Sequence, residues 1–175
     1  MTDVATPEAA ERRLLRHLVA TLAYRSAKAL RDVPDSFATY TLGDGRRTPL
    51  QIVAHMADLM EWGLRFAQGE YKWQAAGSDD WTRECRRYFD GLAALDARLA
   101  DPAPLGYPAD IIIQGPLADA LTHTGQLSMM RGLAGHAVRP ESYARAEIVI
   151  GRVSVEQAAP GREFDGDASA VKPAG

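Results

Sequence analysis

Cysteine is nearly missing from this chain: Cys85 is the only one among 175 residues. A single thiol cannot close an intrachain disulfide, and it rules out the paired Cys-x-x-Cys knuckles that hold structural zinc. Long apolar runs are missing too. No stretch approaches the roughly 20 apolar residues needed to cross a bilayer. The opening residues MTDVATPEAAERR carry acids and no apolar core, so no signal peptide is expected. There is no excess of positive charge either. Lys and Arg number 20 against 23 Asp and Glu, for a net charge of −3, and the basic residues are scattered. A chain that lives on nucleic acid shows a basic face, so nucleic acid is not an expected partner. What remains is a soluble protein, expected in the cytoplasm, with no membrane partner.

The composition is 46% hydrophobic, which at this length suits one domain around one core. That domain is expected over residues 1–156. From Gln157 onward Ala, Gly, Pro, Asp and Ser dominate, so residues 157–175 read as an irregular or disordered tail.

Periodicity divides the body into four helices. The first is expected over Pro7–Asp32, where Leu15, Leu18, Leu22, Ser26 and Ala29 recur at steps of three and four, and Pro34 follows its end. The second has the clearest start. Thr48 can cap, Pro49 suits the first helical position, and Gln51 stands where a capping box needs it. It is expected to run to Gln68 and stop at Gly69. The third, Asp80–Ala100, carries the stripe Trp81, Cys85, Tyr88, Leu92, Leu95, Leu99, which reads as packing. Its Arg83, Arg86 and Arg87 read as a solvated face. The fourth is expected over Pro116–Ala134, with Gly135 as a left-handed cap. A short helix or turn is expected over Glu141–Ala146. Ile148–Val153 is too short and isolated to make a sheet. The class is therefore all-α, a four-helix bundle, in which sites are built from side chains on facing helices.

Placing the four histidines at 100° per residue separates them. His55 falls inside the apolar arc of the second helix, close to its edge, whereas Gln51, Asp58, Glu61 and Arg65 define the polar side. On the fourth helix Asp119, His123, Gln126 and Met130 form one stripe, and a carboxylate four residues before a histidine lies on the same face. His17 points away from the core, and His136 follows the expected cap. Two histidines and a carboxylate turned inward cost free energy unless something satisfies them. A divalent cation would do so, with His55, Asp119 and His123 as its ligands. The blander alternatives stand beside this: Asp119 stabilised by the helix dipole, and His123 simply hydrogen-bonded to it.

These residues resemble the DinB/YfiT-like superfamily. TPLQIVAHMADL at residues 48–59 is similar to the opening of that family's second helix. GPLADALTHTGQL at residues 115–127, followed by Arg131 and Gly135, is similar to the fourth-helix pattern His-x-Gly-Gln with a later Arg and Gly. The likeness spans Tyr24 to Phe164. It implies an up-up-down-down bundle with a long crossover between the second and third helices. It also implies a divalent metal at one end, held by three histidines, of which His55 and His123 match the outer two. Asp119 stands at the middle position. A two-histidine, one-carboxylate set suits zinc, nickel, iron or manganese. The resemblance further implies a metal-dependent enzyme, either a thiol-dependent S-transferase or isomerase with a low-molecular-weight thiol as cofactor, or a hydrolase. Such an enzyme would act on a small-molecule substrate, and a homodimer is expected. The residues alone equally allow a noncatalytic metal or small-ligand binding protein, or a structural dimer. No catalytic residue beyond the metal ligands is assigned.

Overall fold

In a computed structural model, residues 6–164 are described. Four long helices carry the fold, and among the described residues there is no strand, only one antiparallel bridge between Glu141 and Glu163. Among the described residues no helix is long and apolar enough to cross a membrane.

Helix α1 (Pro7–Leu30) starts on Thr6, whose side chain accepts from the Ala9 amide, and ends two residues before the expected Asp32. Helix α2 (Pro49–Gln68) has the expected capping box and stops at Gly69, where φ of +92° needs a residue without Cβ. Helix α3 (Trp81–Ala100) is capped by Asp80. The fourth rod corrects the expected start at Pro116. Helix begins seven residues earlier as α4 (Ala109–Ile112), passes through a π-helical turn at Ile113–Leu117, and continues as α5 (Ala118–Leu133). Pro116 therefore sits inside the rod. Proline lacks an N–H and its ring crowds the preceding turn, and the wider π turn absorbs both defects.

Side-chain contacts give the helix directions. Arg12 on α1 reaches the Asp101 and Ala103 carbonyls beyond the end of α3, while Ser26 meets Tyr88 near the start of α3, so α1 and α3 run oppositely. Arg87 binds the Ala54 carbonyl and Asp58, and Gly63 faces Leu95, so α2 and α3 run the same way. Pro116 lies by Gly63 and Asp119 by His55, so the fourth rod opposes α2. The order is up, down, down, up, which corrects the expected up-up-down-down. Two parallel neighbours, α2 and α3, need a connection that travels back along the helix. The twelve residues between Gln68 and Trp81 can span roughly 40 Å when extended, against about 30 Å for a 20-residue helix. They run along α2 as a strap: Tyr71 packs on Phe66, Trp73 on Trp62 and His55, and the Ala76 amide binds Asp58. The crossover falls where expected.

The core joins all the rods, with Leu15, Leu22, Met56, Leu59, Tyr88 and Leu92 fully buried. Where α2 and α3 touch, a Cβ on Gly91 would stand 2.8 Å from Met60 Cβ, so only glycine permits the approach. Arg131 ties the end of α5 to α1 by donating to the Lys28, Ala29 and Arg31 carbonyls, the unpaired acceptors of a helix end. A 3₁₀ turn covers Tyr143–Arg145. Residues 157–164 form no helix and return to the body. Lys28 Nζ lies 2.8 Å from both Glu141 and Glu163, and the Phe164 amide donates to the Pro140 carbonyl. The rest of the expected tail, residues 165–175, lies outside the described residues.

Candidate metal centre

His55 owes its position to the capping box two turns before it. Thr48 Oγ1 accepts from the Gln51 amide at 3.3 Å, and Gln51 Oε1 accepts from the Thr48 amide at 2.9 Å. This pairing sets where α2 begins and so which way residue 55 points. Asp119 and His123 owe theirs to the π turn directly ahead of them. Each residue advances an α-helix by about 100°, so the extra residue in that turn rotates everything after it relative to Ile112.

The structure brings the three expected residues together. Asp119 Oδ2 lies 3.3 Å from His55 Nε2, and Asp119 Oδ1 lies 3.3 Å from His123 Nε2. One donor atom from each residue falls within 4.8 Å of the other two. Ligands about 2.1 Å from one ion and about 100° apart stand about 3.2 Å from each other, so the spacing suits a shared cation. The two imidazoles meet edge to face with centroids 4.9 Å apart. His123 is buried, His55 is half-buried, and the Asp119 carboxylate is 44% exposed, so the cluster opens to solvent on the Asp119 side. His17 and His136 are exposed and belong to no part of it.

The protonation pattern is unusual. His123 Nδ1 lies 2.7 Å from Gln126 Oε1, a hydrogen bond that places the neutral ring's proton on Nδ1. Nε2 then presents a lone pair to a carboxylate oxygen, which also has only lone pairs to offer. Burial holds the His55 pKa below its ordinary value. The hydrogen bond and charge of Asp119 oppose this, while the charges of Arg47 and His123 add to it. A neutral imidazole at neutral pH is the metal-binding form. His55 Nδ1 has no hydrogen-bond partner among the described residues, so of the two rings only His123 is oriented through its second nitrogen.

Two charged residues next to the site stand differently from their sequence reading. Asp58, expected on the polar side of α2, is buried, and Arg87, expected in solvent, binds it at 2.7 Å. The same guanidinium holds Glu84, which is fully buried and also accepts from the Ser78 amide and hydroxyl. Burial drives the Glu84 carboxyl upward, but Ser78 and Arg87 outweigh it and leave the pKa below the ordinary value. These carboxylates pin the strap at Ala76 and Ser78, and so hold Trp73 over His55 at 5.6 Å between ring centroids. Cys85 is half-buried rather than fully packed. Burial, then the charge of Glu84, push its thiol up to about 12, which keeps it protonated and unreactive.

Sequence reasoning missed Gln126 as the residue that orients His123, although its three-residue spacing was in view. It also missed Trp73, which no helical period could have found because it comes from the strap. Two clefts flank the cluster. One, of about 630 Å³, lies between the loop at Arg46–Arg47 and His123, with Ile52 and Met130 in its wall. The other, of about 620 Å³, lies between the same loop and His55.

No protein-family model, curated protein or solved structure matches this chain.

Proposed function

We propose that this chain is a divalent-metal enzyme of the DinB/YfiT-like kind, with His55 Nε2, an Asp119 oxygen and His123 Nε2 as the metal's three protein ligands. The observation that carries this reading is the 3.3 Å approach of His123 Nε2 to Asp119 Oδ1 while Nδ1 of the same ring lies 2.7 Å from Gln126 Oε1: when Nδ1 donates to Gln126, Nε2 and the carboxylate are both acceptors. Acceptors turned towards each other repel, and a cation between them converts the repulsion into two bonds. The four-helix bundle reading is supported by the pairing of the rods, in which α1 and α2 each pack against both α3 and α5, and by the crossover along α2.

A bound dication would supply Lewis acidity, which lowers the pKa of a thiol or water brought to it. Three protein ligands leave positions open on the ion, as a catalytic site requires. Within this arrangement Asp119 offsets one positive charge, and the two imidazoles donate as neutral ligands. Gln126 keeps His123 in the right tautomer, and Trp73 covers the outer side of His55. Asp119 in place of a third histidine makes the set harder, which suits zinc, iron or manganese at least as well as nickel. The reaction we assign is thiol-dependent S-transfer or isomerisation, on a small-molecule substrate. We also read the chain as a homodimer, on the exposed apolar side chains Leu14, Met129 and Leu133; sedimentation that shows a monomer at every concentration would count against this.

Elemental analysis of protein purified without a metal-affinity tag tests the centre. About one divalent ion per chain is expected, lost in Asp119→Ala. A chain that takes up no zinc, iron, nickel or manganese on titration would leave Asp119 and His123 as a hydrogen-bonded pair and end the enzyme reading.

A further inference from the structure

The loop that separates the two clefts ends in Arg46 and Arg47, and both residues line both clefts. Among the described residues neither side chain makes an ion pair or hydrogen bond, in contrast to Arg12, Arg16, Arg65 and Arg87, each of which holds a carboxylate. Their backbone is nonetheless held in place. Gly43 and Gly45 turn the chain at φ of +122° and +71°, the Arg46 amide donates to the Gly43 carbonyl, and Thr48, directly after Arg47, is held in the α2 capping box with Gln51. The acids nearby do not neutralise the pair: Asp58 in the second cleft is bound to Arg87, and Asp119 faces the histidines.

We propose that Arg46 and Arg47 form an oxyanion-binding subsite beside the metal centre, so that the substrate or thiol used there is a small organic anion. The inference rests on the metal reading above and deepens it. Guanidinium groups bind carboxylate and other oxyanions through parallel N–H donors, and a dication with only one carboxylate ligand adds to the positive field. Ile52, Met129 and Met130 give the first cleft an apolar wall beside His123. A molecule that spans it places its charged end on the loop, its hydrocarbon on this wall, and its reacting sulfur or oxygen at the ion.

The full chain loaded with cobalt(II) provides the test, because a thiolate on cobalt gives a charge-transfer band that can be titrated. The probes are 3-mercaptopropionate, 2-mercaptoethanesulfonate, 2-mercaptoethanol and cysteamine, which share a thiol and differ in the far group. The native chain is expected to bind at least one anionic thiol about tenfold more tightly than 2-mercaptoethanol, and cysteamine most weakly. Whether the carboxylate or the sulfonate is favoured distinguishes a planar from a tetrahedral oxyanion. In the double variant Arg46→Ala/Arg47→Ala, with cobalt content unchanged, the preference should vanish while 2-mercaptoethanol binds as before. Equal affinities in the native chain would overturn the subsite. So would a preference that survives in the double variant, because chelation by the probe's own carboxylate would then explain it. A chain that binds no cobalt overturns the metal reading and this one together, whereas cobalt bound without charge preference overturns this one alone.

Discussion

His55 and Asp58 lie three residues apart on α2, and each belongs to a polar cluster that reaches another helix. The Asp58 cluster closes on itself. Arg87 supplies donors to Asp58, Glu84 and the Ala54 carbonyl, and the strap supplies the Ala76 and Ser78 donors that the carboxylates still need. The His55 cluster is built around one carboxylate instead: His55 Nε2 and His123 Nε2 each stand 3.3 Å from an Asp119 oxygen, and the second nitrogen of His123 is turned outward to Gln126. The difference separates a buried charge group that holds structure from one shaped for a ligand. The first is complete within the protein, and on the proposed reading the second is completed by a metal ion.

The sharpest way to break this comparison is to remove one member of each cluster. His123→Ala should abolish uptake of zinc or manganese, read by elemental analysis, and leave the metal-free chain close to native stability. Arg87→Ala should do the reverse. It strands two buried carboxylates and should cost about 3–5 kcal/mol in urea unfolding of the metal-free chain. If His123→Ala proved as destabilising as Arg87→Ala, the two clusters would be of one kind.

A smaller effect is expected at the residue that orients the ligand. Gln126→Leu should weaken metal affinity about 10–100-fold, the usual cost of losing a partner that holds a ligating histidine. Gln126→Glu keeps the acceptor and should restore most of it. Equal affinities for the native chain and Gln126→Leu would remove the tautomer argument.

The smallest effect is on pH dependence. Glu84 has a folded pKa below its ordinary value of 4.5, so the unfolded chain binds its proton first as pH falls. The stability it contributes is present above about pH 4.5 and lost as pH drops through the folded value. The stability gap between the native chain and Glu84→Gln should therefore be flat above about pH 5 and close below it. A gap that widened on acidification would reverse the assigned sign.

Much of the architecture could be read before any contact was known. The Thr48–Gln51 capping box and Gly69 bounded α2 because those signals act within four residues of the helix end. Periodicity turned His55, Asp119 and His123 inward, since the face of a side chain on its own helix depends only on counting residues. The fourth rod was read too short because Pro116 looks like a first helical residue, and only the packing of Pro116 by Gly63 and of Gly115 by Trp62 reveals the inside of a π turn.

Asp58 and Arg87 were misread for a related reason. Each looks like a surface charge on its own helix and becomes a core residue only when its partner arrives from another. The same division runs through the site. Counting residues along each helix placed His55, Asp119 and His123 on inward faces, and all three carry donors suited to a metal. Tertiary structure decided that His55 meets Asp119 across 64 residues of chain, that the strap lays Trp73 over it, and that α2 and α3 run in parallel. Local propensity acts along one helix axis. The distance between atoms on two helices is set by how all the rods pack around their common core.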